Sequence, residues 1–241
     1  MTCPVKHAKA YPFAIPNGSY ILTKGGWMPL HVGEHKTQNR HAVIASGSNA
    51  SPDRLKAKFQ DHADLLDQPI YVTRAKLRNF DTVYSAHFAE YGSIPATLAH
   101  ARDIETDVFV TWLTDGQLKC MHQTESLGVN YDYVRLEGIG LVIEDGSGYT
   151  QAHAYMSRRG CLSLEGKPIS LSSVNATGRT WRAMTQEEVL DHARKLIAPH
   201  QDTDVFVREH IDCHDTRQER ISKLSETAVP HGWRGTIKVL S

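Results

Sequence analysis

An α+β fold with a mostly β core is predicted by three observations along the 241-residue chain. Stretches rich in Val, Ile, Phe, Thr and Tyr recur at 70–77, 82–88, 94–99, 107–113 and 129–156, the composition of half-buried strands. Helix-start signals stand between and after them, at Ser51, Thr114 and Thr185. At 27.0 kDa and 40% hydrophobic residues, the chain is long and apolar enough to bury a core.

The first forty residues are punctuated by Pro4, Pro12, Pro16 and Pro29, which break regular elements. They read as an extension that packs over the main domain, with one short strand near Tyr20-Ile21-Leu22. Residues 41–45 form an apolar run that stops at Ser46-Gly47-Ser48-Asn49. Ser51 can then cap a helix with Pro52 at its first position and Asp53 in its first turn. The local order is strand, tight loop, helix.

Four strands follow, the last at 107–113. Thr114 and Asp115 open a second helix on which Leu118, Met121 or His122, and Glu125 recur at helical spacing. Glu125 stands at the end of that helix. A strand over 129–143, the turn Glu144-Asp145-Gly146-Ser147-Gly148 and a return strand over 149–156 make a hairpin. Thr185 and Glu188 are spaced as a capping box for a helix to about residue 197. The polar tail from 202 to 227 is helix-prone. The expected organisation is an N-terminal extension (1–40), a main domain (41–200) and a helical C-terminal extension (201–241).

Charge narrows the function classes. Lys+Arg and Asp+Glu are balanced at 27 each, so no basic excess points to nucleic acid or an anionic membrane surface. A small molecule or a protein partner is expected instead. Cys3, Cys120, Cys161 and Cys213 form no C-x-x-C pair and read as reduced thiols. The N-terminus lacks the pattern of a secretion signal and no stretch has the apolar length of a membrane span. A cytoplasmic protein is expected.

The chemistry-bearing residues fall into three segments. The first is Ala42-Val43-Ile44-Ala45-Ser46-Gly47-Ser48-Asn49-Ala50-Ser51-Pro52-Asp53-Arg54-Leu55. A glycine loop between a strand and a helix presents unpaired backbone N–H groups that can hold a carboxylate or a developing oxyanion. The second runs from the strand at 107–113 through the helix to Glu125-Ser126-Leu127-Gly128-Val129-Asn130-Tyr131-Asp132-Tyr133-Val134-Arg135. A carboxylate at a helix C-terminus faces the negative end of the dipole, a poor place for a purely structural anion. The third is the return strand Tyr149-Thr150-Gln151-Ala152-His153-Ala154-Tyr155-Met156.

Over roughly 41–198 these segments together resemble the γ-glutamylcyclotransferase-like superfamily. Ser46 stands where that family has Tyr in its Tyr-Gly-Ser-Asn loop, and Ser126 where it often has Gly. The resemblance implies a small mixed β-barrel with flanking helices and a pocket beside the Gly-Ser loop. It implies Glu125 as general acid/base, a substrate site of Ser46, Gly47, Ser48, Asn49, Tyr131, Tyr133 and Tyr155, and neither metal nor cofactor. The reaction implied is attack of an α-amino group on its own γ-carbonyl, releasing an amine and a 5-oxoproline-type product from a small γ-glutamyl or related amide.

Other readings compete with this one. The same fold could hydrolyse a different amide, or serve as a non-catalytic module that binds a small metabolite, which the Ser46 departure favours. Arg158-Arg159 is either a second carboxylate site or a solvated turn. His210 and His214 share a helical face in the manner of a metal pair but lack a third ligand. A serine hydrolase is disfavoured because no G-x-S-x-G elbow is present. The apolar residues Val205, Phe206, Ile211 and Leu224 require burial, either within the chain or in a homodimer contact.

Overall fold

The computed structural model describes residues 3–233 and the backbone of 237–239. Chain order begins with a short helix, α1 (Pro4–Lys9), and a hairpin of β1 (Tyr20–Thr23) and β2 (Gly26–Pro29). There follow β3 (His41–Ala45), α2 (Pro52–Lys58), β4 (Ile70–Tyr84), β5 (Ala96–Leu113), α3 (Asp115–Thr124), β6 (Tyr131–Ile143) and β7 (Gly148–Ser157). Three helices complete the helical set: α4 (Gln186–Ile197), α5 (Thr203–Asp212) and α6 (His214–Glu226).

Five strands close on themselves. β3 pairs antiparallel with β5 (Ile44↔Val110) and parallel with β7 (Val43↔His153). β7 returns antiparallel to β6 (Tyr133↔Tyr155), β6 runs antiparallel to β4 (Leu77↔Leu141), and β4 pairs antiparallel with β5 (Thr73↔Val110). This α+β barrel with flanking helices has no free edge around its circuit, which removes the hazard of unpaired strand edges. β1 adds to β4 (Tyr20↔Val72), and the backbone of Ile237–Val239 adds to β6 (Ile237↔Leu136). Residues 234–236 and 240–241 of the expected C-terminal extension lie outside the described residues.

Four expected strands are two. Residues 70–77 and 82–88 belong partly to one fifteen-residue β4, and 94–99 and 107–113 to one eighteen-residue β5. The polar stretch between them looked like a break, but its charges pair across the ladder, Arg78 with Glu105 and Lys76 with Glu105 and Asp107. The register shift between Arg78 and Phe80, with Asn79 at φ 60°, absorbs the irregularity as a bulge. Beyond it, β4 and β5 project past the barrel as an arm. Residues 85–95 turn rather than extend: Ala89 N–H bonds Ser93 C=O and Gly92 adopts φ +91°.

The arm carries the helices. Phe88, Ile94, Val5, Ala8, Val189, Leu190, Phe206, Val207, Ile221 and Leu224 form one buried core between the arm and α1, α4, α5 and α6. A Cβ on Gly92 would stand 2.7 Å from Ile211, so glycine there permits the approach of α5. The polar tail breaks at Cys213 (φ −125°, ψ 115°) into α5 and α6, which separates His210 from His214. His210 is buried against Gly92 C=O at 3.0 Å, while His214 is exposed beside Asp215. The histidine pair therefore does not share a face. Within the chain, Phe206 and Leu224 are buried and Val205 stays exposed.

Candidate active site

β3 ends beneath a single turn, Ser48–Ala50, that leads into α2. Gly47 is buried, and a Cβ added to it would lie 3.0 Å from Ala96 Cβ and closer still to the Tyr11 hydroxyl. Only glycine lets the loop pass this close to β5 and to the N-terminal segment. Ser46 and Asn49 are half-buried beside it.

α3 delivers Glu125 to the same place. Its start is fixed by the Thr114–Gln117 capping box, and buried Gln117 further bonds the carbonyls of Leu65 and Gln68. The helix ends at Glu125, where Ser126 takes φ +48° and Gly128 φ +75° before the chain enters β6. Left-handed residues at this position are a common way to stop a helix. Here Ser126 adopts a conformation that glycine reaches at lower cost.

The Glu125 carboxylate has two close partners. Asn49 Nδ2 donates to Oε1 at 3.0 Å, and Lys58 Nζ, at the end of α2, lies 2.5 Å from the same oxygen. Both side chains are largely buried, with Lys58 14% and Glu125 10% exposed. The ammonium offsets the unfavourable helix end, and a pair this sheltered is screened little by salt. Both contacts fall on Oε1; Oε2 takes neither.

The three sequence-predicted tyrosines divide into two groups. Tyr131 donates to Ala96 C=O at 3.1 Å and belongs with the glycine loop. Tyr133 and Tyr155 face each other across β6 and β7 and join a histidine cluster. Tyr155 Oη lies 3.0 Å from His122 Nδ1, and Tyr133 stacks on His153 at 5.1 Å. The Tyr133 hydroxyl is buried without a partner. Burial pushes all three phenols above their ordinary range, and the Glu125 charge adds to this at Tyr131 and Tyr155 but not at Tyr133.

Four residues of this mouth were not read from the sequence: Tyr11, Lys58, Tyr91 and Arg54 in any charge-bearing role. The Tyr11 oxygen accepts the Ala96 N–H at 2.7 Å and sits at the Ser48 N–H, so one of the loop donors expected to hold an anion already faces a phenol oxygen. The Tyr91 hydroxyl faces the Ser48 side chain. Both tyrosines are brought by irregular segments, which carry no periodic signal. Arg158 and Arg159 are engaged elsewhere, Arg158 with Asp132 at 2.6 Å and Arg159 with Asn130 at 3.4 Å. Among the described residues no cluster of three or more His, Cys, Asp or Glu side chains is arranged to hold a metal, and no helix is long and apolar enough to cross a membrane.

No family model and no curated protein matches this chain. Among solved structures it is similar to a γ-glutamyl cyclotransferase, at 13% identity over 83% of this chain and 94% of that one, with a TM-score of 0.39. An uncharacterized Homo sapiens protein gives the same identity and score over 83% and 95%. An Arabidopsis thaliana protein is 17% identical over 52% of this chain and 66% of its own length, with a TM-score of 0.35. Likenesses this distant establish neither family nor activity, and the barrel assignment rests on the chain's own strand pairing.

Proposed function

We propose that the barrel mouth is a metal-independent amide-cleaving site of the γ-glutamylcyclotransferase type, with Glu125 as its acid/base. The observation that supports this most is the meeting of two segments 76 residues apart in sequence, the Asn49 amide and the Glu125 carboxylate at 3.0 Å. Asn49 and Lys58 hold one carboxylate oxygen and leave the other to a substrate. Orientation of this kind is what a proton-transfer group requires.

In the proposed step, Oε2 of Glu125 takes a proton from the substrate α-ammonium. The freed amine attacks the γ-carbonyl carbon, forming the lactam C–N bond. The N–H groups of Gly47 and Asn49 stabilise the oxyanion of the tetrahedral intermediate. Glu125 returns the proton to the departing nitrogen as the original C–N bond breaks, then takes the second proton from the ring nitrogen and passes it to the released amine, leaving a neutral lactam and an ammonium. Ring closure within one molecule supplies proximity that the protein need not provide. Tyr131, Tyr133 and Tyr155 are the proposed wall of the mouth.

The test is amine release together with product identity across a panel of γ-glutamyl and other small amides. The proposal expects equimolar amine and 5-oxoproline from at least one substrate, and loss of at least a hundredfold in kcat for Glu125→Gln. Free glutamate in place of 5-oxoproline would move the reading to hydrolysis on the same carboxylate. A second reading, a metabolite-binding module without turnover, draws on Tyr11, whose oxygen stands at the Ser48 N–H. Saturable binding with no product from any amide would favour it.

A further inference from the structure

The same mouth carries a cation with no counter-ion among the described residues. Arg54 lies in the first turn of α2, five residues after Asn49. Its guanidinium carbon stands 4.9 Å from the centroid of the Phe13 ring and 5.0 Å from that of Tyr91. His7 completes the box, 4.8 Å from Phe13 and 5.7 Å from Tyr91 between ring centroids. Nε is buried and has no hydrogen-bond partner. Among the described residues the guanidinium makes no ion pair and no hydrogen bond.

Ring faces attract a cation but accept no in-plane hydrogen bond, so they leave the planar fork of N–H donors unused. Of these donors Nε is the buried one, and burying it without an acceptor is costly. A side chain needed only to pin the N-terminal segment to the barrel could do so without charge. Tyr91 links the group to the glycine loop, packing on Arg54 with its ring and meeting Ser48 with its hydroxyl. Lys58 is already committed to Glu125, whereas Arg54, among the described residues, has no carboxylate partner. Burial, with the Arg54 charge beside it, pushes the His7 imidazole down, so the box around the guanidinium stays neutral near pH 7.

We propose that Arg54, boxed by His7, Phe13 and Tyr91, is a carboxylate-binding subsite of the barrel mouth, built jointly by the N-terminal segment and the barrel. A ligand of this protein then carries a carboxylate placed to meet the guanidinium fork. The N-terminal segment acquires a function beyond packing, since two of the three box residues belong to it. The subsite does not depend on Glu125 acting as a base.

The experiment is a titration of the full chain, labelled with ¹⁵N-arginine, with sodium propionate and, separately, with neutral propionamide at matched ionic strength. The Arg54 guanidinium resonances are assigned by their absence in Arg54→Lys. The expected result is a saturable displacement of those resonances by propionate, with affinity at least about tenfold above propionamide. That ratio falls toward one in Arg54→Gln, and if this variant does not fold, the wild-type titration alone decides. Resonances unmoved by propionate, or moved equally by both ligands, overturn the proposal. Neither probe is turned over, so failure of amide cleavage leaves this result standing, and failure here leaves the Glu125 reading standing.

Discussion

The helical layer and the barrel mouth bury polar groups in opposite ways. Between α5 and α6, His210 Nε2 donates to Gly92 C=O and its Nδ1 accepts from Arg220, Arg217 donates to His210 C=O, and Arg220 also reaches Phe206 C=O and Glu209. On the arm, buried Asp81 receives two bonds from Arg179 and one from Ser170. At the mouth, by contrast, Ser51 Oγ and Arg54 Nε are buried without partners, as are Tyr133 Oη in the histidine cluster and Thr82 Oγ1 and Trp233 Nε1 at the arm. A network that is complete fixes a structure, while one that is left open holds capacity for a ligand. That difference sets the helical layer, held by a complete network, apart from the mouth, where the proposed site lies.

Breaking the complete side has the largest expected effect. Asp81 is fully buried and Arg179 only 14% exposed, so Asp81→Ala strands a guanidinium. It is expected to cost about 3–5 kcal/mol in urea unfolding. A loss below about 1 kcal/mol would mean that the arm is held by its apolar core alone.

Acid is the next probe. Burial pushes His210 down to about 4 and His87 down to about 3. Both folded values lie below the ordinary imidazole value, so the unfolded chain binds more protons as pH falls. Stability is therefore full above about pH 6.5 and is lost as pH drops from there toward 4, at about 1.4 kcal/mol per pH unit for each ring. Unfolding at pH 7 and pH 5 should differ by roughly 4 kcal/mol from these two rings together. His210 is confined to its neutral form by geometry, since its Nδ1 faces Arg220. An unchanged midpoint between the two pH values would contradict the burial of these two rings in their neutral form.

The smallest stability effect is expected on the open side. Tyr133→Phe removes a buried hydroxyl that has no partner and should be neutral or stabilising by up to about 1 kcal/mol. Tyr131→Phe removes a bond to Ala96 and should cost about 1 kcal/mol. If Tyr133→Phe is the costlier of the two, the orphan hydroxyl has a partner in solution and the contrast weakens.

Local structure was more legible than its joining. The helix start at Thr114, the capping box at Thr185 and the hairpin turn at 144–148 are short-range codes, and each appears where the sequence places it. The continuity of β4 and β5 was hidden because the charges of 76–78 and 105–107 are satisfied only across the ladder. The Glu125–Asn49 contact was anticipated as a juxtaposition of motifs, since both sit at element ends with recognisable signals. Lys58 and Tyr11 were not, because an ion pair across two helix ends and a phenol from a proline-rich segment are set by tertiary packing alone. Arg54 stood in the motif from the start, yet its lack of a partner is a property of the folded chain.

The central claim is that Glu125 is held at the mouth for chemistry and not for stability. It is tested most directly by measuring amine release and urea unfolding side by side in wild type and Glu125→Gln. The account predicts at least a hundredfold loss of release with a stability change within about 2 kcal/mol. Full release in the variant, or a stability loss of about 3–5 kcal/mol with no activity in either protein, would contradict it and make Glu125 the structural partner of Lys58.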